Sequence, residues 1–269
     1  MVQRIIALLT DFGYKDPYVG VMKGVIKSIN PDAEIVDITH SITRQDVYEA
    51  AIALMVSAKY FPRNTIFVCV VDPGVGSARR ALLIRTNNYF LIGPDNGCLT
   101  LLARRDRVKE VYDISNSRYR LSEVSATFHG RDVFAPIAAY VSLGYKPEQL
   151  GSRIEPSLIK YIEVNPPTRR NRGFSSQILY IDVFGNIMTN ADREFIGKIG
   201  LELGEKLVVR TSSREAVCRY VASFSHVDPD SYACYINSWG FFEVAINMGN
   251  AAKELNAKRG EEIVVEKTS

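Results

Sequence analysis

The chain has 269 residues, 46% hydrophobic and 23% charged, with 33 Lys and Arg against 30 Asp and Glu, a formal net charge of +3. A chain of this length buries a core without a disulfide or metal staple and has room for about two domains. The near-even charge argues against a dedicated nucleic-acid binder, and three histidines nearly exclude a multi-histidine metal cage.

Residues 5–9 (IIALL) form a continuous apolar run ahead of Asp11-Phe12-Gly13. Continuous rather than alternating apolarity predicts a strand covered on both faces, as in a parallel sheet. A helical pattern follows over 17–29, closed by Asn30-Pro31, then a strand over 34–38. A second helix is expected over 46–60, stopping before Pro62, and a third buried strand over 65–71, ending at Asp72-Pro73-Gly74. This βαβαβ order predicts an α/β domain with a mostly parallel sheet. Two more strands (81–85 and 89–92), the loop Gly93-Pro94-Asp95-Asn96-Gly97, a short helix and a strand near Val111 continue it. Phe128-His129-Gly130-Arg131-Asp132 then leads into a helix ending at Gly144.

Residues 165–173 (NPPTRRNRG) are polar, basic and carry two prolines, which predicts a linker between domains at 1–164 and 174–269. Beyond it, short strand-like runs at 177–182, 206–210, 216–221, 233–236, 241–246 and 262–266 are punctuated by turn residues, with one short helix near 250–255. This texture predicts a smaller all-β, barrel-like C-terminal domain. The N-terminal apolar run is too short for a signal peptide, and stretches such as 50–56 are far below a membrane span. Cys69, Cys98, Cys218 and Cys234 form no CxxC pair and read as buried, reduced thiols. A soluble cytoplasmic protein is the expectation, with no membrane and no nucleic-acid partner.

In an open parallel sheet, ligands bind beyond the carboxyl ends of the strands. Asp11 and Asp72 occupy two such ends, each followed by a glycine-containing turn. Taken singly, either would be a helix or turn cap; the pair favours a site. Asp72 and Arg79 are seven residues apart across a glycine-rich turn that lacks the GK[ST] ending of a phosphate loop. An ordinary ion pair would explain them equally. His129 precedes a helix start; a lone histidine is more often structural than catalytic, and His40 and His226 carry the same reservation. Arg131 and Asp132 are readable as a surface charge and a helix N-terminal carboxylate. In the second half, Asp182-Val183-Phe184-Gly185-Asn186 and Asn237-Ser238-Trp239-Gly240-Phe241 each pair polar side chains with an aromatic beside glycine. Such a mixture suits a flat heterocycle with polar edges, and equally two barrel turns with core aromatics.

Six stretches together carry a resemblance: LLTDFGYKDPYVG (8–20), VVDPGVGSARR (70–80), GPDNG (93–97), TFHGRDVFAP (127–136), DVFGNIMTN (182–190) and NSWGFFEVAINMGNAA (237–252). In this order they resemble the S-adenosyl-L-methionine (SAM) hydrolases, or SAM hydroxide adenosyltransferases, related to the SAM-dependent fluorinase and chlorinase. The resemblance implies an α/β domain followed by a β-barrel, and a homotrimer with SAM between neighbouring subunits. It implies attack of water or hydroxide at ribose C5′, giving adenosine and methionine, with SAM as substrate and no cofactor or metal. The catalytic set it implies is Asp72, Arg79 and His129. The fluorinase has Tyr at the place of Asp72 and Tyr-Ser at His129-Gly130. The halogenase pattern has Arg where this chain has Trp239.

By the same resemblance Asp11 binds the ribose diol, Asp16 and Asp182 face the methionine ammonium, and Ser238 contacts the methionine end, next to Trp239. Asn186 reads the adenine edge, Phe184 stacks, Met248 meets adenine through its backbone, and Phe128 lines the substrate site. The alternatives are a SAM-dependent halogenase, a non-catalytic adenosine or SAM sensor and, more remotely, a phosphate-loop nucleotide enzyme.

Overall fold

The computed structural model describes residues 4–268. Met1–Gln3 and Ser269, the outer ends of the two expected domains, lie outside the described residues. The chain divides into two compact units, Met1–Ile162 and Glu163–Ser269.

The first unit is a seven-stranded sheet between helices. Its elements run β1 (Ile5–Thr10), α1 (Tyr18–Ile29), β2 (Glu34–Thr39), α2 (Val47–Ala58), β3 (Ile66–Val70), β4 (Ala81–Thr86), β5 (Phe90–Pro94), α3 (Thr100–Arg105), β6 (Val108–Asp113), α4 (Ala135–Ser142), α5 (Pro147–Leu150) and β7 (Ser152–Ile154). The sheet order is β2-β1-β3-β5-β4-β6-β7. Pairing is parallel from β2 to β5 and antiparallel from β5 to β7, because the short turn between β4 and β5 reverses the chain. The apolar run of β1 is continuous because both its faces are covered. Ile6 and Leu8 enter the core under α1 and α4, while Ala7 and Leu9 enter the core under α2 and α3. In β3, Ile66, Val68 and Val70 face the first of these cores and Phe67 and Cys69 the second. α2 starts where Asp46 accepts a hydrogen bond from Glu49 N at 2.9 Å.

The second unit contains β8 (Thr168–Arg170), β9 (Gly173–Ile181), β10 (Ile187–Asp192), α6 (Arg193–Ile199), β11 (Lys206–Arg210), β12 (Glu215–Tyr220), β13 (Tyr232–Ile236), β14 (Phe241–Ile246), α7 (Ala251–Glu254) and β15 (Glu262–Lys267). The ring β10-β14-β13-β12-β11-β15-β9 closes through pairing of β9 with β10, a seven-stranded barrel, and β8 adds outside β9. The interior is filled by Phe174, Ile187, Leu207, Phe242, Val244 and their neighbours. An α/β domain followed by a β-barrel is therefore the architecture, as the sequence predicts. Within the stretch read as a linker, Thr168–Arg170 is a strand of the barrel sheet.

The cysteine expectation is corrected. Cys218 on β12 and Cys234 on β13 form a disulfide, and only Cys69 and Cys98 are free, both buried. β12 and β13 are parallel neighbours with Tyr220 opposite Cys234, which brings the two Cα atoms to 6.1 Å, within bridging range. Among the described residues no helix is long and apolar enough to cross a membrane.

Candidate functional site

The order β2-β1-β3 makes β1 the strand at which the winding reverses, so the loops after β1 and β3 separate and leave a crevice at the carboxyl edge. Asp11 follows β1 and Asp72 lies two residues beyond β3. Gly13 N donates to His40 O at 2.7 Å, tying the first loop to the end of β2, and Asp11 Oδ2 accepts from Gln45 N at 2.7 Å. A cavity of about 540 Å³ opens here, lined by Asp11, Asp16, Tyr18, Asp72, Phe128 and His129 among others.

Arg79 is the organising residue. Its Nε donates to Asp72 Oδ1 at 2.8 Å, and its Nη2 donates to Asp72 Oδ2. Nη2 is also 2.7 Å from His129 Nδ1. The Asp72 and Arg79 side chains are 6% and 5% exposed, so this is a largely desolvated pair rather than a surface one. The guanidinium also lies over the Phe134 ring, 5.5 Å from its centroid. An arginine N–H can only donate, so Nδ1 of His129 accepts and the ring proton is on Nε2. Burial and then the Arg79 charge hold the His129 pKa below its ordinary 6.5, which keeps the ring neutral near pH 7.

Two backbone features fix this group. Gly76 has φ +78° and approaches Ala126 so closely that a Cβ would stand 2.5 Å from Ala126 O. This contact locks the loop carrying Arg79 against the segment leading to His129. Asp132 is fully buried and accepts from Ser125 N, at 2.8 Å, and from Arg131. It anchors the approach to His129 from the first turn of the helix that follows, and Arg131 lies at the surface, in line with the reading of the two as a surface charge and a helix-start carboxylate. The residues after His129, Gly130–Phe134, form a turn of π-helix before α4. His40 is a buried structural residue, with Nδ1 2.8 Å from Thr10 Oγ1, and His226 is exposed.

In the second unit a separate cavity of about 750 Å³ is lined by all six residues singled out there: Asp182, Phe184, Asn186, Ser238, Trp239 and Met248. Asp182 and Asn186 close the β9–β10 turn. Asp182 Oδ1 accepts from Phe184 N and Asn186 N, and its Oδ2 accepts from Asn186 Nδ2, each at 2.9 Å. Gly185 has φ +82°, with the Asn250 side chain where a Cβ would be. Phe184 and Met248 are 72% and 85% exposed, so their apolar surface is available to a ligand. Among the described residues no three of His, Cys, Asp and Glu group as metal ligands would.

The models of the SAM hydroxide adenosyltransferase N-terminal and C-terminal domains match residues 6–151 and 176–264. The chain belongs to the SAM hydroxide adenosyltransferase family. An (R)-S-adenosyl-L-methionine hydrolase of Methanocaldococcus jannaschii is 34% identical over 273 residues, covering 97% of this chain and 95% of that protein. A fluorinase of an Actinoplanes species is 28% identical, covering 98% and 97%. The crystal structure of an uncharacterized conserved protein from Thermotoga maritima superposes with a TM-score of 0.92 at 36% identity, covering 97% of this chain and all of that one.

In this member of the SAM hydroxide adenosyltransferase family, Tyr235 and Glu243 line the barrel cavity but escape sequence reading, and they join Asn237, which the sequence singles out within Asn237–Phe241. Glu243 is 7% exposed; its Oε1 accepts from Tyr235 OH and its Oε2 from Asn237 Nδ2, both at 2.7 Å. The available signal was a lone Glu at an outward position of an otherwise apolar strand, Phe241–Ile246.

Proposed function

We propose that this protein hydrolyses SAM to adenosine and L-methionine. The observation that carries the reading is Arg79 bridging Asp72 and His129 at the rim of the crevice. Nearly full-length similarity to an (R)-S-adenosyl-L-methionine hydrolase supports it.

A water oxygen attacks C5′, the C5′–O bond forms, and the C5′–S bond breaks with its electron pair passing to sulfur. The sulfonium departs as a neutral thioether, so no general acid is needed, and one proton leaves the nucleophile for solvent. Asp72 accepts a hydrogen bond from the nucleophile and assists that proton's departure. His129 donates from Nε2 to the nucleophile's oxygen and orients it. Arg79 holds both partners in place, and its positive charge eases loss of the nucleophile's proton. Positioning of this kind supplies about 7–11 kcal/mol of a barrier. Attack of hydroxide on a sulfonium destroys two charges, so a dry crevice favours it. Asp11 takes the ribose diol, with one oxygen already committed to Gln45 N. Asp16, Phe128, Asp182 and Ser238 contact substrate, and Asn186 reads the adenine edge with its Oδ1 and the one Nδ2–H not given to Asp182. Phe184 and Trp239 pack on the substrate, and Met248 meets adenine through its backbone.

Adenosine and methionine are the expected products, with SAM consumed as substrate and no added cofactor. A cytoplasmic homotrimer is proposed on family grounds, and sedimentation equilibrium tests the stoichiometry. Turnover of SAM in ¹⁸O-labelled water tests the reaction. Label on the 5′-oxygen of adenosine is expected; unchanged SAM, or label in methionine alone, would sink the proposal. In chloride or fluoride, adenosine remains the product, whereas preferential 5′-halo-adenosine would move the assignment to a halogenase.

A further inference from the structure

The outer face of the barrel at β13 and β14 is apolar except at one point. Tyr235 is directly opposite Glu243 in the strand register, and Ala233, Ala245 and Val221 surround Tyr235 on that face. Phe242 and Val244, the chain neighbours of Glu243, point the other way into the barrel core. Glu243 therefore faces the 750 Å³ cavity from the strand itself, where side-chain direction is set by the sheet.

Its hydrogen bonds are directional. The Tyr235 hydroxyl, pushed strongly upward by burial and by Glu243, stays protonated and donates. Asn237 gives its Nδ2 to Glu243, so its Oδ1 is left to accept, and it accepts from Trp239 N at 3.0 Å and Phe241 N at 3.1 Å. Glu243 thus dictates which way the Asn237 amide faces, and the amide in turn shapes the turn that presents Ser238 and Trp239. Asp182 and Glu243 line the same cavity; burial holds the Glu243 pKa above its ordinary value, the Asn237 and Tyr235 hydrogen bonds work against that, and the Asp182 charge adds a smaller upward push. Among the described residues, the hydrogen-bond partners of both are neutral groups. Two acids beside one largely apolar cavity, with neutral partners, leave a site whose missing counter-charge is a cation.

We infer that Glu243 is a positioning residue for the cationic amino-acid end of the ligand, acting through Asn237 on the Ser238–Trp239 turn and, with Asp182, as the anionic wall that an ammonium neutralises. This deepens the SAM reading and rests on it. Glu243 selects for ligands that carry an ammonium over the bare nucleoside.

The test is calorimetric binding of two unreactive probes, S-adenosylhomocysteine, which carries the ammonium on a thioether, and adenosine, which lacks it. Glu243→Gln is expected to weaken S-adenosylhomocysteine about tenfold and adenosine less than about twofold. Tyr235→Phe, which keeps the carboxylate but removes one donor, is expected to weaken S-adenosylhomocysteine about threefold with the same indifference to adenosine. Added salt should weaken S-adenosylhomocysteine binding to wild type more than to Glu243→Gln. Equal weakening of both probes would reduce Glu243 to a structural role and overturn the inference, as would no change in either. Wild-type turnover of SAM is read separately: if it is absent while the probe selectivity behaves as stated, the hydrolase reading fails and the Glu243 assignment stands. If wild type binds neither probe, both fail.

Discussion

Arg79 joins Asp72 to His129: one guanidinium spans both carboxylate oxygens and also meets the imidazole Nδ1 at 2.7 Å. Neither partner holds this geometry alone. The carboxylate fixes the guanidinium plane, and the guanidinium fixes the ring's tautomer.

Asp72→Asn presents an amide N–H to an arginine that can only donate, so the two-point pairing breaks. Turnover of SAM is expected to fall about 10³-fold with KM changed only severalfold. Equal loss of turnover and affinity would point to a substrate-binding role instead.

Arg79→Lys keeps the charge but cannot span two carboxylate oxygens and an imidazole. Single-turnover rates of adenosine formation are expected to drop about 10²-fold. A rate within a few-fold of wild type would show that charge alone suffices.

The acid limb of kcat/KM should have its midpoint below 6.5. His129 has a lowered pKa, so the neutral ring persists as pH falls past 6.5 and is lost only when pH passes the folded value. The unfolded chain takes up that proton earlier, so the associated stability is full above 6.5 and declines as pH falls below it. In His129→Gln the limb assigned to this ring should disappear; a wild-type midpoint above 6.5 contradicts the assignment.

Gly76→Ala sets a Cβ against a backbone oxygen in a conformation that already disfavours side chains. The expected result is a lower melting temperature together with a fall of about tenfold in kcat, since the Arg79 loop and the His129 segment are pushed apart. A variant that melts lower with unchanged kcat would mean the two segments hold their spacing by other contacts.

The Cys218–Cys234 bridge closes 16 residues of chain separation. Replacing both by Ser should cost about 3 kcal/mol in urea unfolding. Thiol titration of the denatured, unreduced protein should find two groups, and four after reduction.

Several features were legible in sequence because a local pattern carried them. The apolar run 5–9 announced a strand covered on both faces, and the acids Asp11 and Asp72 marked strand ends. What stayed hidden depended on strand neighbours that sequence order does not reveal. The disulfide requires β12 and β13 to be parallel partners, although an 11-residue connection separates them. β10 is absent from the predicted strands, its apolar run being cut short by the polar Thr189 and Asn190. In the fold, Thr189 Oγ1 donates to Phe242 O, and Asn190 Oδ1 accepts from Ser176 Oγ. Glu243 escaped because its meaning comes from Tyr235 across the strand and from Asn237. β8 was concealed by prolines and arginines that suit an outermost strand.

The adjacency of β1 and β3 has a metrical consequence. Thr10 is in register with Val70, so Asp11 and Asp72 leave the sheet from strands one hydrogen-bond spacing apart, about 4.8 Å. That interval is comparable to the breadth of a furanose ring between its diol edge and its exocyclic carbon. The sheet thus works as a ruler: the backbone bonds that hold the domain together also set the spacing of the two strands from which Asp11 and Asp72 emerge, the acids proposed to grip the sugar and to flank the bond to be cut. A strand inserted between β1 and β3 would double that gap, and no side-chain substitution could restore it.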